Sequence, residues 1–146
     1  MEGDVLISLL DRLTGRHSIT KILLVDDEEV MRYLVRQLLP RSRYSVRAIA
    51  NCREGLQCLY DEHPDVVLLD LNLPEMDGYQ FLDRVRDDAN LAEVPIIVLT
   101  SAILDPDKRT LLQRAANILS KSDMSASTLI DTIDRVVPRT QPAWAR

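Results

Sequence analysis

Three stretches of the chain are unbroken apolar runs that stop abruptly on polar groups. Ile22–Val25 runs into Asp26-Asp27, Val66–Leu69 into Asp70, and Val94-Pro-Ile-Ile-Val-Leu99 into Thr100-Ser101. A strand that is apolar on both faces can turn neither face to water. Such strands belong to parallel sheets covered on both sides. Between the runs the spacing changes to helical. A helix is predicted over 28–39, with Val30, Met31, Leu34, Val35 and Leu38 at helical intervals and Pro40 as its stop. Tyr44–Ile49 alternates as a strand, and Asn51 is placed to cap a helix over 52–61. Asp77 is placed to cap another over 78–88. Asp105-Pro106 opens a helix to about 115, with proline in the first turn where its missing N–H is harmless. Ile118-Leu119 forms a short last strand ending at Lys121, and a final helix covers 126–137 before Pro138.

Five strands alternating with five helices predict an α/β fold, a doubly wound five-stranded parallel sheet with helices on both faces. At 146 residues the chain is one domain. An apolar fraction of 46% supplies its core. The formal charge of −5 and the lack of a polybasic tract argue against direct nucleic-acid binding. Four scattered glycines exclude a glycine-rich phosphate loop or a dinucleotide fingerprint. Cys52 and Cys58 fit no zinc or redox spacing, and the expectation is a reducing, cytoplasmic setting. Ahead of the alternating region, Val5, Leu6, Leu9, Leu10 and Leu13 predict an N-terminal helix over about 4–13. It is too short to span a membrane. A lone ten-residue helix is marginal in water, so it either packs on its own domain or on a second copy of the chain, as a linker helix or homodimer contact, or frays as a terminal segment. The expected organisation is helix and linker 1–20, core domain 21–137 and tail 138–146.

In open α/β sheets ligands bind beyond the carboxyl ends of the strands, where the strand order reverses. With the order 2-1-3-4-5, strands one and three are neighbours and Asp26, Asp27 and Asp70 converge. Carboxylates at about 4 Å repel by several kcal/mol at a protein-like dielectric, so the cluster calls for a cation. All-oxygen ligation points to Mg²⁺. A carboxylate is also a nucleophile toward phosphorus, and phosphoryl transfer needs a metal and a cation on the equatorial oxygens. Asp70 as nucleophile, Mg²⁺ on Asp27, the Thr100 hydroxyl and Lys121 make up that complement.

The run Ile22-Leu-Leu-Val-Asp-Asp-Glu-Glu29, the stretch Val67-Leu-Leu-Asp-Leu-Asn-Leu-Pro-Glu-Met-Asp-Gly78, the strand end Ile96-Ile-Val-Leu-Thr-Ser-Ala102 and Leu119-Ser-Lys121 together resemble the receiver domains of two-component response regulators. The resemblance covers about 21–137 and implies a flavodoxin-like fold. It also implies the roles of individual residues. Asp70 would be the phosphoacceptor. Metal ligation would fall to Asp27 directly, to Asp26 mainly through water, and to Asp70 and the main-chain carbonyl of Asn72. Thr100 would be the switch hydroxyl and Lys121 the phosphoryl-binding cation. The implied partner is a histidine kinase or a phosphotransfer protein. The implied activity is limited to the domain's own phosphorylation and dephosphorylation.

Three positions depart from the family pattern. Ser122 replaces the usual proline after the lysine. Ile118 stands where an aromatic ring often turns inward on activation. Ala102 stands where some relatives carry a polar residue. An aspartate-nucleophile phosphatase of the haloacid dehalogenase type is the rival reading. That family's nucleophile ends the first strand in an Asp-x-Asp pattern, whereas here the acid pair comes first and Asn72 follows Asp70 by two. A degenerate docking receiver would lack an acid, the acceptor or the lysine, and all are present. The residues after Pro138 are too few for a DNA-binding effector. The leading helix and the Lys121-Ser-Asp ending bear some resemblance to receivers attached to hybrid sensor kinases.

Overall fold

The structure is a computed structural model and describes residues 19–71, 78–101, 106–112, 115 and 117–137. The expected N-terminal helix, the Asp77 cap, Asn72, Ala102 and the tail after Val137 lie outside the described residues. The elements follow the chain as β1 (Thr20–Val25), α1 (Glu29–Leu38), β2 (Tyr44–Ile49), α2 (Cys52–Glu62), β3 (Val66–Asp70), α3 (Gly78–Asp87), β4 (Ile96–Thr100), α4 (Pro106–Leu111), β5 (Asn117–Ser120) and α5 (Ala126–Val136). All strand pairs are parallel and the order is β2-β1-β3-β4-β5, as the sequence predicts.

The unbroken apolar strands feed two cores, because alternate residues point to opposite faces of a sheet. Leu23, Val25, Val67, Leu69, Ile96 and Val98 pack with Phe81 and Leu82 of α3, Cys52, Cys58 and Leu59 of α2, and Leu112. Ile22, Leu24, Val66, Leu68, Ile97 and Leu99 pack on the opposite side with Met31 and Val35 of α1 and Leu129 and Ile133 of α5. Both layers are closed by local chemistry. The Asn51 side chain accepts from Glu54 N at 2.9 Å and caps α2, and Ser125 caps α5 by accepting from Thr128 N. At the opposite end of the sheet, Tyr44 Oη donates to Asp134 Oδ1 at 3.0 Å, tying β2 to α5.

Three boundaries differ from the sequence reading. Strand β4 begins at Ile96, because Val94 closes a turn onto Leu91 and Pro95 has no N–H to give a ladder. Helix α4 spans Pro106–Leu111, short of the expected end near 115, and Ala115 N bonds back to Leu112 O. Beyond β5 the chain enters a 3₁₀ turn, Lys121–Asp123. No described peptide bond is cis, so Lys121-Ser122 is trans.

Candidate functional site

The parallel register levels the polar strand ends. Val25 pairs with both Ile49 and Leu69, Asp70 with Leu99, and Thr100 with Ser120. Asp26, Asp70, Thr100 and Lys121 therefore emerge at the same edge of the sheet. One carboxylate oxygen from each of Asp26, Asp27 and Asp70 lies within 4.8 Å of the others. Asp26 is 0% exposed and Asp70 3%, whereas Asp27 faces solvent.

Lys121 Nζ lies 3.3 Å from Asp26 Oδ2, 3.3 Å from Glu28 Oε1 and 3.5 Å from Asp70 Oδ1. Burial works to lower the pKa of this ammonium, but the attraction of Asp26, Asp70 and Glu28 prevails and raises it. The Asp26 pKa is raised as well, which for a carboxylate disfavours the charged form. Desolvation is the largest cause and the neighbouring Asp70 adds to it; the Glu28 N–H and Lys121 work against them, and the result is about 6. Asp26 Oδ1 accepts from Glu28 N at 2.8 Å, while buried Oδ2 accepts no hydrogen bond among the described residues and lies 3.3 Å from Lys121 Nζ. A buried carboxylate oxygen left in that state, beside two further carboxylates, fits a hard divalent cation. Asp26, Asp27 and Asp70 are the described residues that could hold one.

Thr100 is buried at the tip of β4, between the strands that carry Asp70 and Lys121. Ile118 pairs with Val98 and is half-buried against the α2–α3 core. Ser122 occupies its trans turn with its hydroxyl 2.8 Å from that of Ser120.

Two participants were not given roles on sequence grounds. Glu28 is the N-cap residue of α1, yet its side chain makes no capping bond and reaches Lys121 instead. Arg32 Nη1 donates to the main-chain oxygen of Asp26 at 2.9 Å. Gly78 serves through its lack of a side chain. A Cβ there would stand 2.7 Å from Leu71 Cα and 2.8 Å from Asp70 O, so only glycine lets α3 start against the strand end that carries Asp70.

Residues 22–134 match the family model of the response regulator receiver domain. The chain belongs to that family. Among relatives, the receiver is 28% identical over 112 residues to the polar-differentiation response regulator DivK of Brucella ovis, covering 77% of this chain and 91% of that one. Its fold superposes on the chemotaxis response regulator CheY4 of Vibrio cholerae with a TM-score of 0.74 at 31% identity, covering 82% of this chain and all of the other. It also superposes on the receiver domain of the sensor histidine kinase PA1611 from Pseudomonas aeruginosa PAO1, described with a magnesium ion coordinated in its active-site cleft. That match has a TM-score of 0.73 at 28% identity and covers 82% and 98% of the two chains. The sheet order and layering are those of a flavodoxin-like receiver, a signalling domain of two-component systems. None of its described helices is long and apolar enough to cross a membrane.

Proposed function

We propose that Asp70 accepts a phosphoryl group from the phosphohistidine of a histidine kinase or phosphotransfer protein, in a Mg²⁺-dependent reaction, and that the receiver then switches conformation to regulate a partner. The observation that carries this is the pairing of Asp70 with an acidic cluster on one side and the Lys121 ammonium, 3.5 Å from Oδ1, on the other. An Asp70 oxygen forms the new bond to phosphorus while the P–N bond breaks and its electron pair stays on the imidazole nitrogen. Lys121 meets the charge on the phosphoryl oxygens, and the Thr100 hydroxyl moves to hydrogen-bond one of them. Mg²⁺, when held by Asp27 and Asp70, by Asp26 largely through water and by the Asn72 carbonyl, supplies the remaining positive charge.

The domain promotes its own phosphorylation and the hydrolysis of its own acyl phosphate, and no other reaction. We place it in the cytoplasm, as a core of 21–137 flanked by a helical leader and a tail, with no direct contact to nucleic acid or membrane. Val30, at 78% exposure, and Tyr33 and Leu34 stand on α1 beside the acid cluster and supply an apolar surface for the donor protein. A receiver joined to a hybrid sensor kinase is the second reading, favoured by the proline-free turn after Lys121 and by the likeness to the PA1611 receiver. Intact-mass spectrometry after incubation with acetyl phosphate tests the main reading. A one-phosphoryl mass gain that needs Mg²⁺ and is removed by base or hydroxylamine is expected. The same gain in Asp70→Ala refutes the assignment.

A further inference from the structure

We propose that Glu28 sets which class of phosphodonor the site accepts, disfavouring dianionic acyl phosphates relative to phosphoramidates, whose leaving nitrogen carries a proton. The inference rests on Asp70 being the phosphoacceptor. Its starting point is the Lys121 ammonium, which is shared by three carboxylates at 3.3–3.5 Å. Asp26 and Asp70 are buried and fixed at strand ends. Glu28 is the outermost of the three, its side chain 61% exposed, and it forgoes capping α1 to reach Lys121. Its two contacts through one ammonium, 3.3 and 3.5 Å, put its carboxylate within about 7 Å of Asp70 Oδ1. Any donor delivering a phosphoryl group to Asp70 therefore passes a negative charge, and meets a lysine already engaged.

The two donor classes respond differently to that charge. When an acyl phosphate reacts, an Asp70 oxygen bonds to phosphorus and the P–O bond to the acyl group breaks. The electron pair leaves with a carboxylate, so an anion enters and another anion departs. When a phosphoramidate reacts, the P–N bond breaks and the pair stays on a nitrogen that already holds its proton, so a neutral amine departs. The protonated nitrogen also offsets one phosphoryl charge on the way in. A unit charge about 7 Å away, at a dielectric between those of water and a protein surface, changes the approach of one further unit of charge by about fivefold.

The full chain, phosphorylated in parallel by acetyl phosphate and by phosphoramidate with Mg²⁺ at fixed ionic strength and followed by intact mass, tests this. Glu28→Gln is expected to raise the ratio of the acetyl phosphate rate to the phosphoramidate rate about fivefold, because the two donors differ by one unit of net charge. Glu28→Asp keeps the charge and should keep the wild-type ratio of the two rates. Equal changes with both donors, an unchanged ratio in Glu28→Gln, or a ratio in Glu28→Asp that shifts as in Glu28→Gln each overturn the proposal while leaving Asp70 as acceptor. Wild type that takes no phosphoryl group from either donor overturns both.

Discussion

Asp26→Asn is expected to make the metal-free protein more stable. The folded state raises Asp26 from 3.8 to about 6, so at pH 7.5 the carboxylate is ionised in both states and the shift costs the fold about 3 kcal/mol. That cost already contains the help given by Lys121 and by the Glu28 N–H. Asparagine keeps an oxygen for Glu28 N and carries no charge, so it recovers about 1–3 kcal/mol, or several degrees in Tm for a chain of this size. The effect has a defined pH course. A carboxyl raised in the folded state costs most above its folded pKa and nothing below its unfolded one. The advantage of the variant should therefore be full above about pH 6 and disappear as pH falls toward 3.8. Mg²⁺ is expected to reverse the ranking, because the proposed site would bind the ion in wild type and the variant lacks one of its carboxylates. Urea denaturation between pH 4 and 7.5, in chelator and in a Mg²⁺ series, measures all three effects. A variant that is less stable than wild type in chelator, or a difference that does not change with pH, refutes the reasoning.

Gly78→Ala should cost about 2–3 kcal/mol by urea denaturation and slow phosphorylation, since its Cβ meets Leu71 Cα and Asp70 O, which cannot move without displacing the strand end. Wild-type behaviour would mean that α3 shifts freely. Tyr44→Phe should cost about 1–2 kcal/mol by removing the bond to Asp134 Oδ1, with no effect on phosphorylation at the far end of the sheet. Val30→Asp should slow transfer from a phosphorylated kinase or phosphotransfer protein at least tenfold, with acetyl phosphate kinetics within twofold of wild type. Equal slowing with both donors would move the docking surface elsewhere. In NMR spectra, a phosphoryl mimic should shift resonances beside Asp70 more than those across 104–121, because Ile118 has no ring to turn into space vacated by Thr100. Shifts of equal size would refute that damping.

The sheet was legible because Ile22–Val25, Val66–Leu69 and Ile96–Leu99 are apolar at every position, a pattern only a doubly covered strand tolerates. With the order 2-1-3-4-5 the acids of strands one and three meet, and the register places Asp26 and Asp70 level. Glu28 escaped notice for a physical reason. Its partner Lys121 is 93 positions away, and a glutamate opening a helix reads as an ordinary first-turn acid until the fold brings the two together. The packing role of Gly78 escaped the sequence reading, because a close backbone approach has no local signature. The ends of α4 and β4 were set by turns at Leu112–Ala115 and Leu91–Val94 that hydrophobic spacing does not encode.

The division of the interior into two cores has an evolutionary consequence. The surface proposed to meet the phosphodonor rests on Met31 and Val35, in the layer shared with α5, whereas Leu112 and the side of β5 that carries Ile118 rest on the other layer. A substitution in one layer reaches the other only through the strands between them, whose opposite-facing side chains are tied by the backbone alone. Lineages can recut the α2–α3 side for a new listener while the α1 side proposed to meet the phosphodonor stays as it is.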